Sequence, residues 1–512
     1  MRKKEKKANV SEGSHEEVLM KDIQALMAAH KLSDGAAETL PEQGTEIEVD
    51  VVELSSTGDG LARQKGSAQV YVVPFSIPGD TVKVKVYRHL LKEGYTVADF
   101  IEVVKPSPMR DDSRINCKYF AKCSGCQFQM LDYSDQLRIK RDIVVKAYRN
   151  FSQLPSDQVP DILETIGSPL QYGYRTKLTP HFDGPPGGWK KNSKATLSEK
   201  PPIGFTPKAS RKVLDIEECP IGTDAVNQGL KQERLRMETE YSKYTKGATI
   251  LLRENTKRVA KSRPSSPVQG ILPTPIAVES ETYTEYKTCI TDNNATSTEY
   301  IDNFTFTNPA GAFFQNNNSI LSPFTDYIRQ HILPPPALAN PAKPIRTLID
   351  AYSGSGLFTI TQASLFPGGS VGIDIAEKSI AFARRNAALN GLDEKECRFI
   401  AADAPELFKS VSTLDADETV VVLDPPRKGC DESFLKQLLD FAPKRVIYVS
   451  CNVHTQARDV GVLVKGEDVL AKTLSGEGKK ATRYEIESIR GFDFFPQTGH
   501  VEGVAVLNRV DL

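Results

Sequence analysis

The run TLIDAYSGSGLF, Thr347 to Phe358, decides the fold. An apolar strand-like stretch breaks at two closely spaced glycines and resumes as an apolar helical stretch, so Gly354 and Gly356 sit in a turn from strand into helix. Working outward, SVGIDI, CRFIAAD, TVVVLD and RVIYVS repeat the strand texture, each about a helix's worth of residues from the next. Strand and helix alternating in this way predict a doubly wound, mostly parallel α/β sheet, a Rossmann-like domain over 311–512. A glycine turn at its carboxyl edge lets a ligand approach the backbone.

The turn lacks the third glycine of a dinucleotide fingerprint, and no P-loop lysine follows it. Asp374 ends the next strand about 20 residues on, where a carboxylate can accept hydrogen bonds from both ribose hydroxyls of an adenosine. It can equally cap the helix that starts near Ala376, and one Asp can do both. With Asp403 after the third strand, the set fits an S-adenosylmethionine pocket better than a nucleotide-phosphate one.

Strand TVVVLD runs into PPRKGCD, which places Asp424 at the sheet edge with two prolines fixing the turn. An ionised Asp only accepts, so it can bind the N3–H of uracil, whereas cytosine has no hydrogen there. Strand RVIYVS ends at Cys451. Cysteines are often simply buried, but here the apolar run has finished and polar Asn452 follows. A thiolate adding to C6 of uracil makes C5 nucleophilic, which gives such a thiol a chemical purpose. The C5 hydrogen must then leave, and Glu502, between apolar stretches in DFFPQTGHVEGVAVL, is the candidate base, with an exposed strand-edge Glu as the plainer reading. His500 is a second candidate base, or a group that orients the first.

The N-terminal part has other textures. MRKKEKKANV is a basic run, and His15 to His30 spaces apolar residues as a helix does; acidic residues interrupt the positive face a mitochondrial presequence needs, which disfavours that reading. From Thr45 to about Lys105, short alternating runs predict four or five strands: a small antiparallel domain, or an oligonucleotide-binding (OB)-like barrel with Lys83, Lys85, Arg88 and Lys92 toward phosphates. Between them and the α/β region, GPPGGWKKNSKATLSEKPP and ENTKRVAKSRPSSP read as exposed basic loops. Cys117, Cys123 and Cys126, with distant Cys219, offer four thiolates; their spacing leaves zinc and a four-iron cluster equally open.

The whole chain has 512 residues, 39% hydrophobic and 26% charged, with 65 Lys and Arg against 66 Asp and Glu. That excludes a disordered chain or a polyanion-binding whole-molecule field, so any nucleic-acid surface is local. Without a membrane span or a secretory signal in the sequence, the expectation is an intracellular protein of cytoplasm or nucleus, a mitochondrial location staying open, with no membrane and no obligate protein partner.

The combination FFQNN (313–317), DAYSGSG (350–356), LDPPRKG (423–429), VSCN (449–452) and FPQTGHVEGVAVL (495–507) resembles the RNA uracil-C5 methyltransferase family. The resemblance implies Cys451 as nucleophile, Glu502 as base, and Gln315, Tyr352, Asp374 and Asp424 as contacts to cofactor and base. Leu357 stands where bacterial relatives often have Asn. It further implies a TRAM barrel over 42–106 after an extension over 1–41, a central α+β RNA-binding domain over 107–310 with a [4Fe–4S] cluster rather than zinc, and tRNA as substrate, as in the fungal tRNA enzymes, with rRNA as the alternative. A reading of another class is an RNA-folding clamp with incidental methylation.

Overall fold

The computed structural model describes residues 11–29, 40–187, 195–208, 210–261, 274–338, 341–403, 406–466 and 482–510. The basic N-terminal run, His30 and parts of both basic loops lie outside these residues. Two compact units are present: Met1–Arg114, Gln127–Ile166 and Leu423–Leu512 form one, and Ile115–Cys126 with Gly167–Val422 form the other.

In the first unit, strands Glu46–Leu54, Gly60–Arg63, Val70–Val73, Thr81–Leu90 and Tyr95–Lys105 close into a barrel. Alternation explains the closure: in TVKVKVYR, Val82, Val84 and Val86 point inward onto Val49, Val51, Tyr71 and Ala98, while Lys83, Lys85 and Arg88 point out. Closure removes the sheet edges and selects the barrel over an open antiparallel domain. Helix His15–Ala29 packs Leu19, Ile23 and Leu26 on a separate barrel patch of Leu61, Val70, Val72 and Tyr95.

The same unit holds helix Tyr133–Phe151, started by Asp132 accepting from Ser134 N, and a four-strand run in the order Arg445–Ser450, Glu502–Arg509, Tyr484–Phe492, Leu163–Ile166. Glu502–Arg509 runs antiparallel to both of its neighbours, and Leu163–Ile166 is parallel to Tyr484–Phe492. This departs from the expected parallel pattern. The cause is connection length: residues 493–501 are too few for a crossover of about a dozen residues, so the chain turns back on itself.

In the second unit, Thr347–Ala351, Ser370–Asp374 and Cys397–Ala401 are parallel neighbours, and strand Thr419–Leu423 carries the chain to the unit boundary. Thr347–Ala351 and Thr419–Leu423 are buried throughout, as strands covered on both faces are. The rest of this unit is α+β: a sheet in the order Ile276–Glu279, Tyr283–Ile290, Leu252–Ala260, Lys177–Leu178, backed by helix Asp224–Glu240 through Val226, Leu230, Met237 and Leu252.

Candidate active site

Register alone brings the two predicted catalytic residues together. Strands Arg445–Ser450 and Glu502–Arg509 pair antiparallel with Ser450 opposite Gly503, so one step further Cys451 stands opposite Glu502. Residues opposite each other across a ladder project to the same face. Glu502 is 1% exposed and neither carboxyl oxygen has a hydrogen-bond partner. Its pKa is driven well above the carboxylate range by burial first and by Asp424 second, with Arg427 pulling the other way. The Cys451 thiol is pushed up to about 12 by burial, Glu502 and Asp424; Arg427, which hydrogen-bonds it, opposes them. Thiol, two carboxyls and a guanidinium therefore share one electrostatic neighbourhood, all within one unit.

Backbone and helix termini fix this neighbourhood. Asn452 caps helix Val453–Lys465 by accepting from His454 N, and its Nδ2 donates to the Arg427 carbonyl at 2.9 Å. Thr455 Oγ1 donates to the same carbonyl. Gly429 closes the Pro425–Gly429 turn by donating to the Pro426 carbonyl, at φ 76°, and a Cβ there would strike the Asp459 carboxylate at 2.6 Å. His500 is exposed, its ring stands edge-on to Phe495, its carbonyl accepts from Lys140, and it makes no hydrogen bond to either Glu502 carboxyl oxygen.

The second unit positions the predicted cofactor residues on a different kind of turn. Tyr352 adopts φ 63°, unusual for a bulky side chain. Gly354, at φ 55°, donates its N–H to Asp374 Oδ2 at 3.0 Å, and a Cβ there would meet nothing within 4 Å. Asp374 Oδ1 accepts from Ala376 N, so this carboxylate both braces the glycine turn and starts the helix after it. Ser353 Oγ is buried without a partner beside it. Gln315 is half-buried; the loop around it is tied down by Asn316, whose carbonyl accepts from Thr176 N, and by Asn318, which donates to the buried Glu299. Asp403 lies exposed past the end of strand Cys397–Ala401, its loop held to the strand edge by Ala402 N donating to the Asp374 carbonyl.

Cys117, Cys123, Cys126 and Cys219 are half-buried cysteines, outside any disulfide, in this same unit. Cys117, Cys123 and Cys219 are near enough to raise one another's pKa, Cys219 to about 11 with burial leading. Proximity stops short of a ligand sphere: among the described residues no three His, Cys, Asp or Glu side chains converge as a metal site. A four-thiolate [4Fe–4S] or zinc site is therefore not shown among the described residues.

Three buried groups escaped the sequence reading. Lys140 and Asp493, both with fully buried side chains, pair at 2.6 Å, and Lys140 Nζ also donates to the carbonyls of Phe495 and His500, anchoring the loop that leads into Glu502. A usable signal was present: Lys140 falls on the stripe Gln136, Lys140, Ile143, Val144, Ala147 that the helix buries. Asp459 accepts from Cys430 N and the Tyr448 hydroxyl beneath the Pro-Pro turn. Asp350, within TLIDA, accepts from Thr359 N and Oγ1, and burial, with Asp374 adding to it, pushes its pKa up to about 7.

A thiol and a buried carboxyl at adjoining strand ends, on a chain whose other turn carries the glycines and carboxylate of a nucleoside-binding edge, are the groups an enzyme site would assemble. The chain belongs to the tRNA (uracil-5-)-methyltransferase family. The family described as "tRNA (Uracil-5-)-methyltransferase" matches residues 295–510, and the TRAM domain matches 41–91. The chain is 42% identical to a tRNA (uracil(54)-C(5))-methyltransferase of Schizosaccharomyces pombe, over 99% of this chain and 86% of the relative. It is 41% identical to the protein of the same name from Saccharomyces cerevisiae, over 98% and 79%. Among solved structures it is similar to the Pyrococcus abyssi tRNA (uracil-54, C5)-methyltransferase in complex with S-adenosyl-L-homocysteine, with TM-score 0.59, 25% identity, and 90% and 100% of the two chains covered.

Proposed function

We propose that this chain transfers the methyl group of S-adenosylmethionine to C5 of a uridine in tRNA, at position 54 as its fungal relatives are named. The observation that carries the reading is the register that sets Cys451 opposite Glu502, a buried carboxyl with both oxygens unpartnered.

Cys451 sulfur, as thiolate, bonds to C6 of the uracil, and the electron pair of the C5–C6 double bond shifts to C5. Asp424 accepts the N3–H and selects uracil over cytosine. C5 takes the methyl from the sulfonium, leaving S-adenosylhomocysteine. Glu502 then takes the C5 proton, the C5–C6 double bond re-forms, and the C6–S bond breaks to return the thiolate. A carboxylate whose burial raises its pKa is a stronger base once ionised, which suits removal of a carbon-bound proton. Arg427 offsets two carboxylates beside a forming thiolate.

The donor, when bound, supplies an electrophilic methyl. Its nucleoside fits the second unit's turn: Gly354 leaves open space for it, Asp374 is the ribose acceptor, and Tyr352 holds a backbone conformation that a ligand contact explains. For RNA, the barrel offers exposed Lys85, Arg88 and Lys92 with exposed Tyr87 and Leu91, a basic face with stacking surface; Lys83 is engaged by Glu46. No step of this reading passes through a metal.

Nucleoside mass spectrometry after incubation with S-adenosylmethionine and unmodified tRNA, or separately rRNA fragments, tests the reading, with Cys451→Ala as control. 5-Methyluridine in the wild-type tRNA sample alone supports it. Methylated rRNA alone would move the substrate, and product from Cys451→Ala would end the covalent route.

A further inference from the structure

The stretch Glu12–Gly13, ahead of helix His15–Ala29, sits on the nucleophile loop. Asn452, the residue after Cys451, donates through Nδ2 both to the Arg427 carbonyl at 2.9 Å and to the Gly13 carbonyl at 3.1 Å. One amide therefore joins three segments: the nucleophile loop, the Pro-Pro-Arg turn and the N-terminal stretch. Arg458, on the helix that Asn452 starts, makes a second bridge of the same kind. It pairs with Glu12 at 2.8 Å and donates to the carbonyls of Lys428 and Cys430 in the turn.

The stretch is fitted there. Gly13 adopts φ 65°, and a Cβ would come within 2.3 Å of Thr455 Cγ2. Thr455 is buried and its hydroxyl is spent on the Arg427 and Asn452 carbonyls, so it cannot rotate away without releasing the turn. Glu17 accepts from Gly13 N at 2.6 Å, which fixes the stretch to its own helix. That helix is braced in turn: buried Asp22 accepts from Ser56 N at 2.6 Å and from Asn150 Nδ2, while Lys21 donates to the Asn150 carbonyl and lies over the Phe151 ring. Ser56 belongs to the barrel's first loop and Asn150 to helix Tyr133–Phe151. The stretch is thus the tip of a strut footed on two rigid elements.

We propose that Glu12 and Gly13 are positioning residues for the methyl-transfer site, acting as a latch that holds the Arg427 turn against the Cys451 loop. The inference rests on the proposed function for its catalytic consequence. A latch that sets the geometry of nucleophile and guanidinium governs the chemical step and leaves the binding of both substrates alone, because neither Glu12 nor Gly13 belongs to the nucleoside turn or the outward barrel face.

The test uses the full chain with Gly13→Ala, Glu12→Ala and, as a control on the exposed face of the same helix, Gln24→Ala. Gly13→Ala is expected to lower kcat about tenfold or more, as small misplacements of reacting groups do, with KM for tRNA and for S-adenosylmethionine within about twofold. Glu12→Ala, which removes a carboxylate largely in water, is expected to lower kcat about two- to threefold. Hydrogen exchange supplies a readout independent of turnover: peptides covering 425–431 and 450–456 lose protection in Gly13→Ala and keep it in Gln24→Ala. A wild-type kcat in Gly13→Ala, a change confined to KM, or unchanged exchange in both peptides overturns the latch. If the wild type itself makes no 5-methyluridine while exchange responds as expected, the proposed function fails and the mechanical latch stands.

Discussion

The turns Pro425–Gly429 and Ser353–Gly356 both leave the carboxyl end of a buried strand, and they are held in opposite ways. In the glycine turn the polar groups are largely matched: Gly354 N meets Asp374, Asp374 meets Ala376 N, and Ser353 N meets the Ile373 carbonyl. Around the Pro-Pro turn the backbone is matched just as well, by Asn452, Thr455 and Arg458, but the side chains it serves are in conflict. Asp424 raises the cost of ionising Glu502, and both carboxyls disfavour the Cys451 thiolate, with Arg427 as counterweight. A binding turn can be satisfied before its ligand arrives, whereas reacting groups must stay unsatisfied until the substrate supplies what they lack.

Glu502→Gln breaks the comparison most sharply. The thiol can still add and C5 can still be methylated, but the proton cannot leave, so turnover should fall about 10²- to 10⁴-fold while a denaturation-resistant protein–RNA adduct accumulates on a gel. Free product at the wild-type rate would remove Glu502 from the base role. Next in size is Lys140→Met, which strands Asp493 in the interior and should cost about 3–5 kcal/mol in chemical denaturation. Lys140→Met with Asp493→Leu should recover part of that loss, and no recovery would mean that the ion pair is not what holds the loop.

On the other side of the comparison, Asp374→Ala should raise KM for S-adenosylmethionine about tenfold, the scale of a lost charge-assisted hydrogen bond, while donor-independent adduct formation through Cys451 continues. Loss of both together would show that the two turns are not separable. Acidity gives a further contrast. Because the Cys451 and Glu502 pKa values are both raised, adduct formation and turnover should rise with pH through neutrality, and Arg427→Leu should move that limb to higher pH. In stability the sign reverses. Folded Glu502 keeps its proton above its ordinary value of 4.5, so wild-type stability declines as pH climbs from there, and Glu502→Gln should gain in relative Tm between pH 5 and 8. The smallest effect belongs to Gly354→Ala, which meets no neighbour and should cost about 1 kcal/mol through its left-handed φ alone.

The sequence made the edge positions legible because an apolar run that stops also marks where a strand stops. That logic places Asp374, Asp424 and Cys451 at strand ends, where the structure also has them. It could not show that Glu502 faces Cys451, since this depends on an antiparallel register set by a short connection. Nor could it separate His500, exposed, from Glu502, buried two residues later. The four cysteines mark another limit: bunching in sequence signals a ligand set, yet bunching fixes neither distance nor direction, and no converged set is shown among the described residues. Lys140 was hidden for a plainer reason, since its partner lies 353 positions away and neither residue is informative alone.

That separation also sets a timetable for synthesis. Lys140 leaves the ribosome with its helix long before Asp493 exists, and at about 5–20 residues per second the interval is on the order of tens of seconds. During that time the ammonium has no partner to accompany it into an apolar interior, so the helix cannot seat its buried stripe. The unit holding the nucleophile is drawn from three separated stretches of chain, the last of which ends the sequence as given. Arrival of Asp493 therefore supplies the partner the buried lysine needs, and the loop leading into Glu502 gains its anchor at the same moment.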